Sequence, residues 1–108
     1  IVPAPVQAAM AAALRDDAHV AAQRETYRQR REALLRAVGR VGLRVEVSEA
    51  GLYLWATRDE DCWLTVAALA ERGILVAPGA FYGPGGARHV RIALTATDER
   101  VAAAVSRL

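Results

Sequence analysis

Hydrophobic and polar positions follow more than one rhythm along this chain. The run Val6-Gln-Ala-Ala-Met-Ala-Ala-Ala-Leu-Arg15 is built from strong helix formers, and Pro3 and Pro5 suit an extended or helix-opening lead into it. Asp16-Asp17 breaks that run and offers a fresh cap. From Ala18 to Val38 the spacing is helical. Val20, Tyr27, Leu34 and Val38, with the stem of Arg24, fall on one stripe, while Glu32 and Arg36 form an i,i+4 pair on the wet side. Gly39 and Gly42 stop this helix.

The period then changes. Leu43-Arg-Val-Glu-Val-Ser48 alternates apolar and polar, which predicts a half-buried strand. Glu49-Ala-Gly51 reads as a turn, and Leu52-Tyr-Leu-Trp-Ala-Thr57 as a second strand that is apolar on both faces and therefore central. The two strands predict a hairpin. Asp59, Glu60 and Asp61 open a helix that runs through Leu64, Ala68 and Leu69 to Arg72, with Gly73 as its C′ residue. Ile74-Leu-Val-Ala77 is a short apolar strand, and the Pro78–Gly86 loop follows. His89-Val-Arg-Ile-Ala-Leu-Thr95 is another strand, and Thr97 caps a last helix with Val101, Val105 and Leu108 on one face. Helix, two strands, helix, two strands, helix predicts an α+β fold: a small, mainly antiparallel sheet with helices on one face. No repeat, linker or low-complexity tract interrupts it.

Composition narrows the reading. The 108 residues are enough for one small domain, and 54% of them are hydrophobic, which excludes a disordered tail. No apolar run reaches the ~20 residues of a membrane span, so no membrane partner is expected. The chain begins without an initiating Met and without a signal-peptide pattern, as a fragment of a longer chain would. One cysteine, Cys62, excludes an internal disulfide framework and a cysteine-based zinc site, and points to a reducing cytoplasm. Net charge is +2 with acids and bases interspersed, which is no nucleic-acid footprint. All 14 basic residues are arginine, so no lysine side chain is present to form a Schiff base.

The candidate chemistry centres on Arg91. In its strand, Val90, Ile92 and Leu94 point to one side; His89, Arg91, Ala93 and Thr95 point to the other. Pattern alone favours a solvated or salt-bridged arginine. The other reading is a planar fork gripping a carboxylate, with small Ala93 leaving room beside it. Gly79, Gly83, Gly85 and Gly86 can bring backbone close to a ligand, or can serve an ordinary connection. Phe81 and Tyr82 either line a pocket or pack under the loop. Arg28-Gln-Arg-Arg-Glu32 reads as a solvated helix surface, and Trp55 and Trp63 as core. His19 and His89 lack metal spacing, Cys62 sits beside acids and is no nucleophile, and Asp98 and Glu99 are first-turn helix acids.

Six short motifs in register carry a resemblance. Pro3-x-x-x-Gln7-x-Ala9, Tyr27-x-x-Arg30-Arg31, Ala50-Gly-Leu-Tyr-Leu-Trp55, Gly73-Ile-Leu-Val-Ala-Pro-Gly79, Phe81-Tyr-Gly83 and Val90-Arg-Ile92 follow a family's order over nearly the whole chain. The chain resembles the C-terminal small domain of the class I/II, fold-type I aminotransferases. Within them it is most similar to the actinobacterial N-succinyldiaminopimelate aminotransferases of lysine biosynthesis. Ala50 and Tyr82 depart from the family's usual Gly and Phe.

The resemblance implies a small domain over 1–108, with the interdomain helix region within 1–38 and the large catalytic domain absent. It implies that Arg91 binds the substrate α-carboxylate and that Tyr53, Tyr82 and Gly51 line the pocket. It implies pyridoxal 5′-phosphate held by the large domain, amino-acid and 2-oxo-acid substrates, a homodimeric parent, and no catalytic or cofactor-binding residue in this chain. Two other readings stay open: a free-standing α+β module gripping an anion through Arg91, and a nucleic-acid binder using Arg28, Arg30 and Arg31.

Overall fold

In the computed structural model, which describes residues 1–108, Asp16 separates the first two helices. Its carboxylate accepts from the Ala18 and His19 amides, so α1 (Ala4–Leu14) ends and α2 (Asp17–Arg40) begins. Positive-φ Gly42 turns the chain after α2. Asp61 caps α3 (Cys62–Glu71), accepting from the Trp63 amide, and Gly73 at φ +70 ends that helix. Thr97 caps α4 (Asp98–Arg107) through the Arg100 amide. The three side-chain caps fall at residue types that suit them.

The sheet has three strands, β1 (Tyr53–Thr57), β2 (Ala77–Pro78) and β3 (His89–Ala93), all antiparallel and ordered β1-β3-β2. This confirms the α+β class and corrects its details. Leu43–Ser48 is not a strand. It meets the sheet at one bridge, Arg44 to Thr57, so the expected hairpin does not form. Arg31 of α2 donates to Ser48 Oγ and to the Gly51 carbonyl, holding this segment to the helix rather than along the sheet edge. The strand expected over Ile74–Ala77 starts at Ala77 and ends at Pro78, an edge position where a missing N–H costs no ladder bond. β3 is central because it pairs with both β1 and β2, and β1, expected to be central, is an edge strand.

The core lies on one face. Leu54 and Ala56 of β1 and Val90, Ile92 and Leu94 along β3 are buried against Leu34 and Val38 of α2, Leu69 of α3 and Val101 of α4. Each fully buried Leu or Val contributes about 1.5–3 kcal/mol of hydrophobic stabilisation. Val20, expected on this stripe, is exposed, as is Arg24, because α2 runs beyond the sheet at its N-terminal end. The expected solvated run Arg28–Glu32 divides. Arg28 is exposed between Glu25 and Glu32, and its hydrogen bonds, followed by that from Gln29, hold Glu25 at a pKa of about 2. Arg30 turns inward to the Leu94 carbonyl and Asp98, and Arg31 is buried. No residue of α1 is buried. The Cα radius of gyration is 16.7 Å, against about 13 Å for a compact chain of this length. No helix is long and apolar enough to cross a membrane.

Candidate functional site

The face of the sheet opposite the core collects the residues that strand alternation sends outward. On β3 these are His89, Arg91 and Ala93; on β1 they are Tyr53, Trp55 and Thr57. Antiparallel register sets Trp55 directly across from Arg91, Tyr53 across from Ala93 and Thr57 across from His89. The fourth contribution comes from the loop after β2. Pro78 leads into a 3₁₀ turn, Gly79–Tyr82, and a second follows at Pro84–Gly86. The loop closes on itself because Gly79 and Gly86 approach backbone to backbone, and a Cβ on either would strike the other. Gly83 at φ +106 reverses the chain between the two turns. This closure brings Tyr82 to the sheet.

Arg91 lies at the middle of this face. Its guanidinium carbon is 4.2 Å from the centroid of the Tyr53 ring and 5.1 Å from that of Tyr82. Both are cation–π distances. Tyr82 meets Trp55 edge-on at 5.8 Å, and Trp55 stacks on His89 at 5.2 Å with the rings 7° apart. Arg91 makes no hydrogen bond and no ion pair, and its Nε is buried without a partner. Arg15, Arg24, Arg36, Arg88 and Arg100 also lack side-chain partners, but all five are exposed to water. Arg91 is therefore the one partly buried arginine with no anion and no acceptor, and a cation so placed can receive a carboxylate. His89 Nδ1 is the other buried side-chain polar atom with no partner.

The structure thus gathers three of the expected site residues, Arg91, Tyr53 and Tyr82, into one cluster. Gly51 stands apart, at the turn before β1. Its φ is +85 and its carbonyl is held by Arg31. Two residues of the cluster, Trp55 and His89, escaped the sequence reading. Trp55 was expected in the core but is 37% exposed, because it belongs to the outward face of β1. Trp63, also expected in the core, is 52% exposed at the start of α3, edge-on to Phe81 at 5.7 Å. The available signal for His89 was its same-face spacing of two from Arg91; the signal for Trp55 required the β1–β3 register.

Comparison with known proteins places the chain in a family. The chain matches the family described as aminotransferase class I and II over residues 1–108. It is 72% identical to a "probable aminotransferase" of Mycobacterium tuberculosis, over all of this chain and 26% of that protein. It is 65% identical to 4-dedimethylamino-4-oxo-anhydrotetracycline transaminase of Streptomyces rimosus, over 99% of this chain and 30% of that protein. Among solved structures, a "probable N-succinyldiaminopimelate aminotransferase" of Thermus thermophilus superposes with a TM-score of 0.64 at 34% identity, over 76% of this chain and 23% of that one. The chain spans between a quarter and a third of the length of those two relatives. Sequence and architecture converge: this chain belongs to the class I and II aminotransferases.

Proposed function

We propose that these residues serve as the small, substrate-closing domain of a pyridoxal-phosphate-dependent aminotransferase, with Arg91 as the seat of the substrate α-carboxylate. The observation that carries this reading is the partnerless Arg91 guanidinium on the open face of the sheet. An amino-acid donor and a 2-oxo-acid acceptor share that carboxylate, so one arginine serves both halves of a transamination. The planar fork donates to both carboxylate oxygens and fixes the orientation of the carbon that bears the nitrogen. The Tyr53 and Tyr82 rings border the guanidinium and limit its contact with water, which strengthens the ion pair once a ligand fills the remaining opening.

The cofactor does not fit the residues present here. No lysine is available to bond its aldehyde. We therefore assign its binding, and the proton transfers it supports, to a large domain that pairs with this one in a homodimeric enzyme. The isolated chain is accordingly inactive in transamination, even with pyridoxal phosphate added.

For the substrate, likeness to the Thermus N-succinyldiaminopimelate enzyme supports N-succinyl-LL-diaminopimelate as donor and 2-oxoglutarate as acceptor, a step of lysine biosynthesis. The 65% identical Streptomyces relative carries the name of a different substrate. Discrimination between side chains is thus assigned mainly to the large domain, and the common carboxylate grip to this one.

The test is Arg91→Ala in the assembled enzyme. Loss of a charge-assisted pair raises KM for donor and acceptor alike, by roughly 100-fold or more. Arg91→Lys recovers part of the loss, because a point charge replaces a fork. Unchanged KM values for both substrates would remove the assignment.

A further inference from the structure

Trp55 and Arg91 face each other across β1 and β3, yet their side chains lean in opposite directions. The indole lies toward His89, the neighbour of Arg91 on the N-terminal side of β3, and stacks on it at 5.2 Å. The guanidinium lies toward Tyr53, which is paired with Ala93 on the C-terminal side. No hydrogen bond or salt bridge sets the direction of Arg91; rings do. A free arginine side chain has many rotamers, and each lost rotamer must be offset by contacts. Tyr53 supplies one contact and Tyr82 a second, and Tyr82 is itself met edge-on by Trp55 at 5.8 Å. Trp55 therefore does two things: it occupies the space on the His89 side, and it abuts the ring that flanks the guanidinium. His89 keeps Trp55 on that side by covering its face. Small Ala93 leaves the other side open for the guanidinium.

We infer that Trp55 and His89 are positioning residues for the carboxylate seat: their stack confines Arg91 to the Tyr53 side, where it is pre-formed for a ligand carboxylate. The inference rests on the assignment of Arg91 as that seat. His89 acts here through its ring face and not through Nδ1, so its polarity is dispensable while its planarity is required. The stack adjoins the shared carboxylate grip on one side and lines a small cavity with Arg44, Glu46 and Val47 on the other. Through the grip, its loss raises KM for donor and acceptor together and leaves kcat nearly unchanged once substrate is bound.

The experiment compares His89→Ala, His89→Phe and Trp55→Leu with Arg91→Ala in the full-length holoenzyme. KM and kcat are measured for both substrates, and inhibition by propionate is measured as a probe of carboxylate binding alone. His89→Ala and Trp55→Leu are expected to raise both KM values and the propionate inhibition constant about tenfold, the scale of one or two ring contacts. His89→Phe, which keeps a stacking ring and removes the nitrogens, is expected to restore values near wild type. If His89→Phe is as impaired as His89→Ala, the imidazole nitrogen contacts ligand and the positioning role is wrong. If the melting temperature falls while KM stays constant, the stack is merely structural and the inference also fails. An Arg91→Ala enzyme with unchanged KM would instead remove the underlying carboxylate assignment.

Discussion

Arg31 of α2 and Gly51 at the head of β1 are joined by a hydrogen bond from the arginine Nη2 to the glycine carbonyl. Arg31 is 8% exposed, its Nε also donates to Ser48 Oγ at 3.1 Å, and no carboxylate pairs with it. The clasp ties the Ser48–Gly51 turn that leads into β1 to α2. Arg31→Ala removes the charge-assisted bonds of a buried guanidinium, so it should cost about 2–3 kcal/mol of stability. Arg31→Lys should restore only part, since one ammonium cannot reproduce the fork. Urea unfolding midpoints measure both, and an unshifted midpoint for Arg31→Ala would show the clasp to be idle.

What the sequence made legible followed local rules. Caps at Asp16, Asp61 and Thr97 are set by one side chain and the next few amides, so residue type suffices. The split of β3 into a Val90–Ile92 face and a His89–Arg91 face follows from a period of two. Strand pairing is not local. Proximity suggested a hairpin between Leu43–Ser48 and β1, but β1 pairs with β3 far along the chain. The apolar pattern of β1 is the same whether its second face meets core or a half-exposed aromatic cluster, so the pattern alone does not place Trp55. Arg31 looked like any helical surface cation because its acceptors, Ser48 and Gly51, sit in a later loop. The resemblance to aminotransferases selected Arg91, Tyr53 and Tyr82 together, and only the fold showed that they touch and that nothing else satisfies Arg91.

The Pro78–Gly86 loop depends on the Gly79–Gly86 approach. An added methyl at Gly79 meets the backbone of Gly86 and His89, and backbone cannot move aside as a flexible side-chain end can. Gly79→Ala should therefore displace the loop and draw Tyr82 away from Arg91, with a stability loss of about 1–3 kcal/mol typical of overpacking. Gly85→Ala, with open space around its Cβ position, is the matched control and should be close to neutral. Thermal unfolding distinguishes them; equal melting temperatures would mean that the loop accommodates the methyl.

Acid sensitivity has a local source at Glu60. Buried Thr65 donates its hydroxyl to Glu60 Oε1 at 2.7 Å, and Arg58 donates to the same oxygen from Nε at 2.8 Å and Nη2 at 2.6 Å. These bonds, the Thr65 hydroxyl foremost and Arg58 next, hold the Glu60 pKa below its ordinary value of 4.5. A lowered folded-state pKa means that the stabilisation is fully present above pH 4.5 and is lost as pH falls through the lowered value. Thr65→Val should move the Glu60 titration upward toward 4.5 and reduce the acid resistance of the α3 N-terminus. Carboxyl-carbon NMR titration reads the shift directly, and an unmoved Glu60 midpoint would assign the effect to Arg58 alone.

Val6, Met10 and Leu14 recur at i, i+4 and i+8 and are 46%, 53% and 81% exposed, so an apolar stripe faces water along α1. Stripes of this kind are ordinarily covered. If a large domain covers it in the assembled enzyme, the isolated 108-residue chain must find another cover, and a second copy is the nearest one. Sedimentation of the isolated chain should show mass rising above the 11.6 kDa monomer with concentration. Val6→Glu with Met10→Glu places charges on the stripe, leaves the core untouched, and should return the chain to monomer without lowering its melting temperature. A wild-type chain that stays monomeric over the full concentration range would show that α1 needs no cover. A double variant that still associates would shift the contact to another exposed apolar surface, such as the Trp63–Phe81 pair.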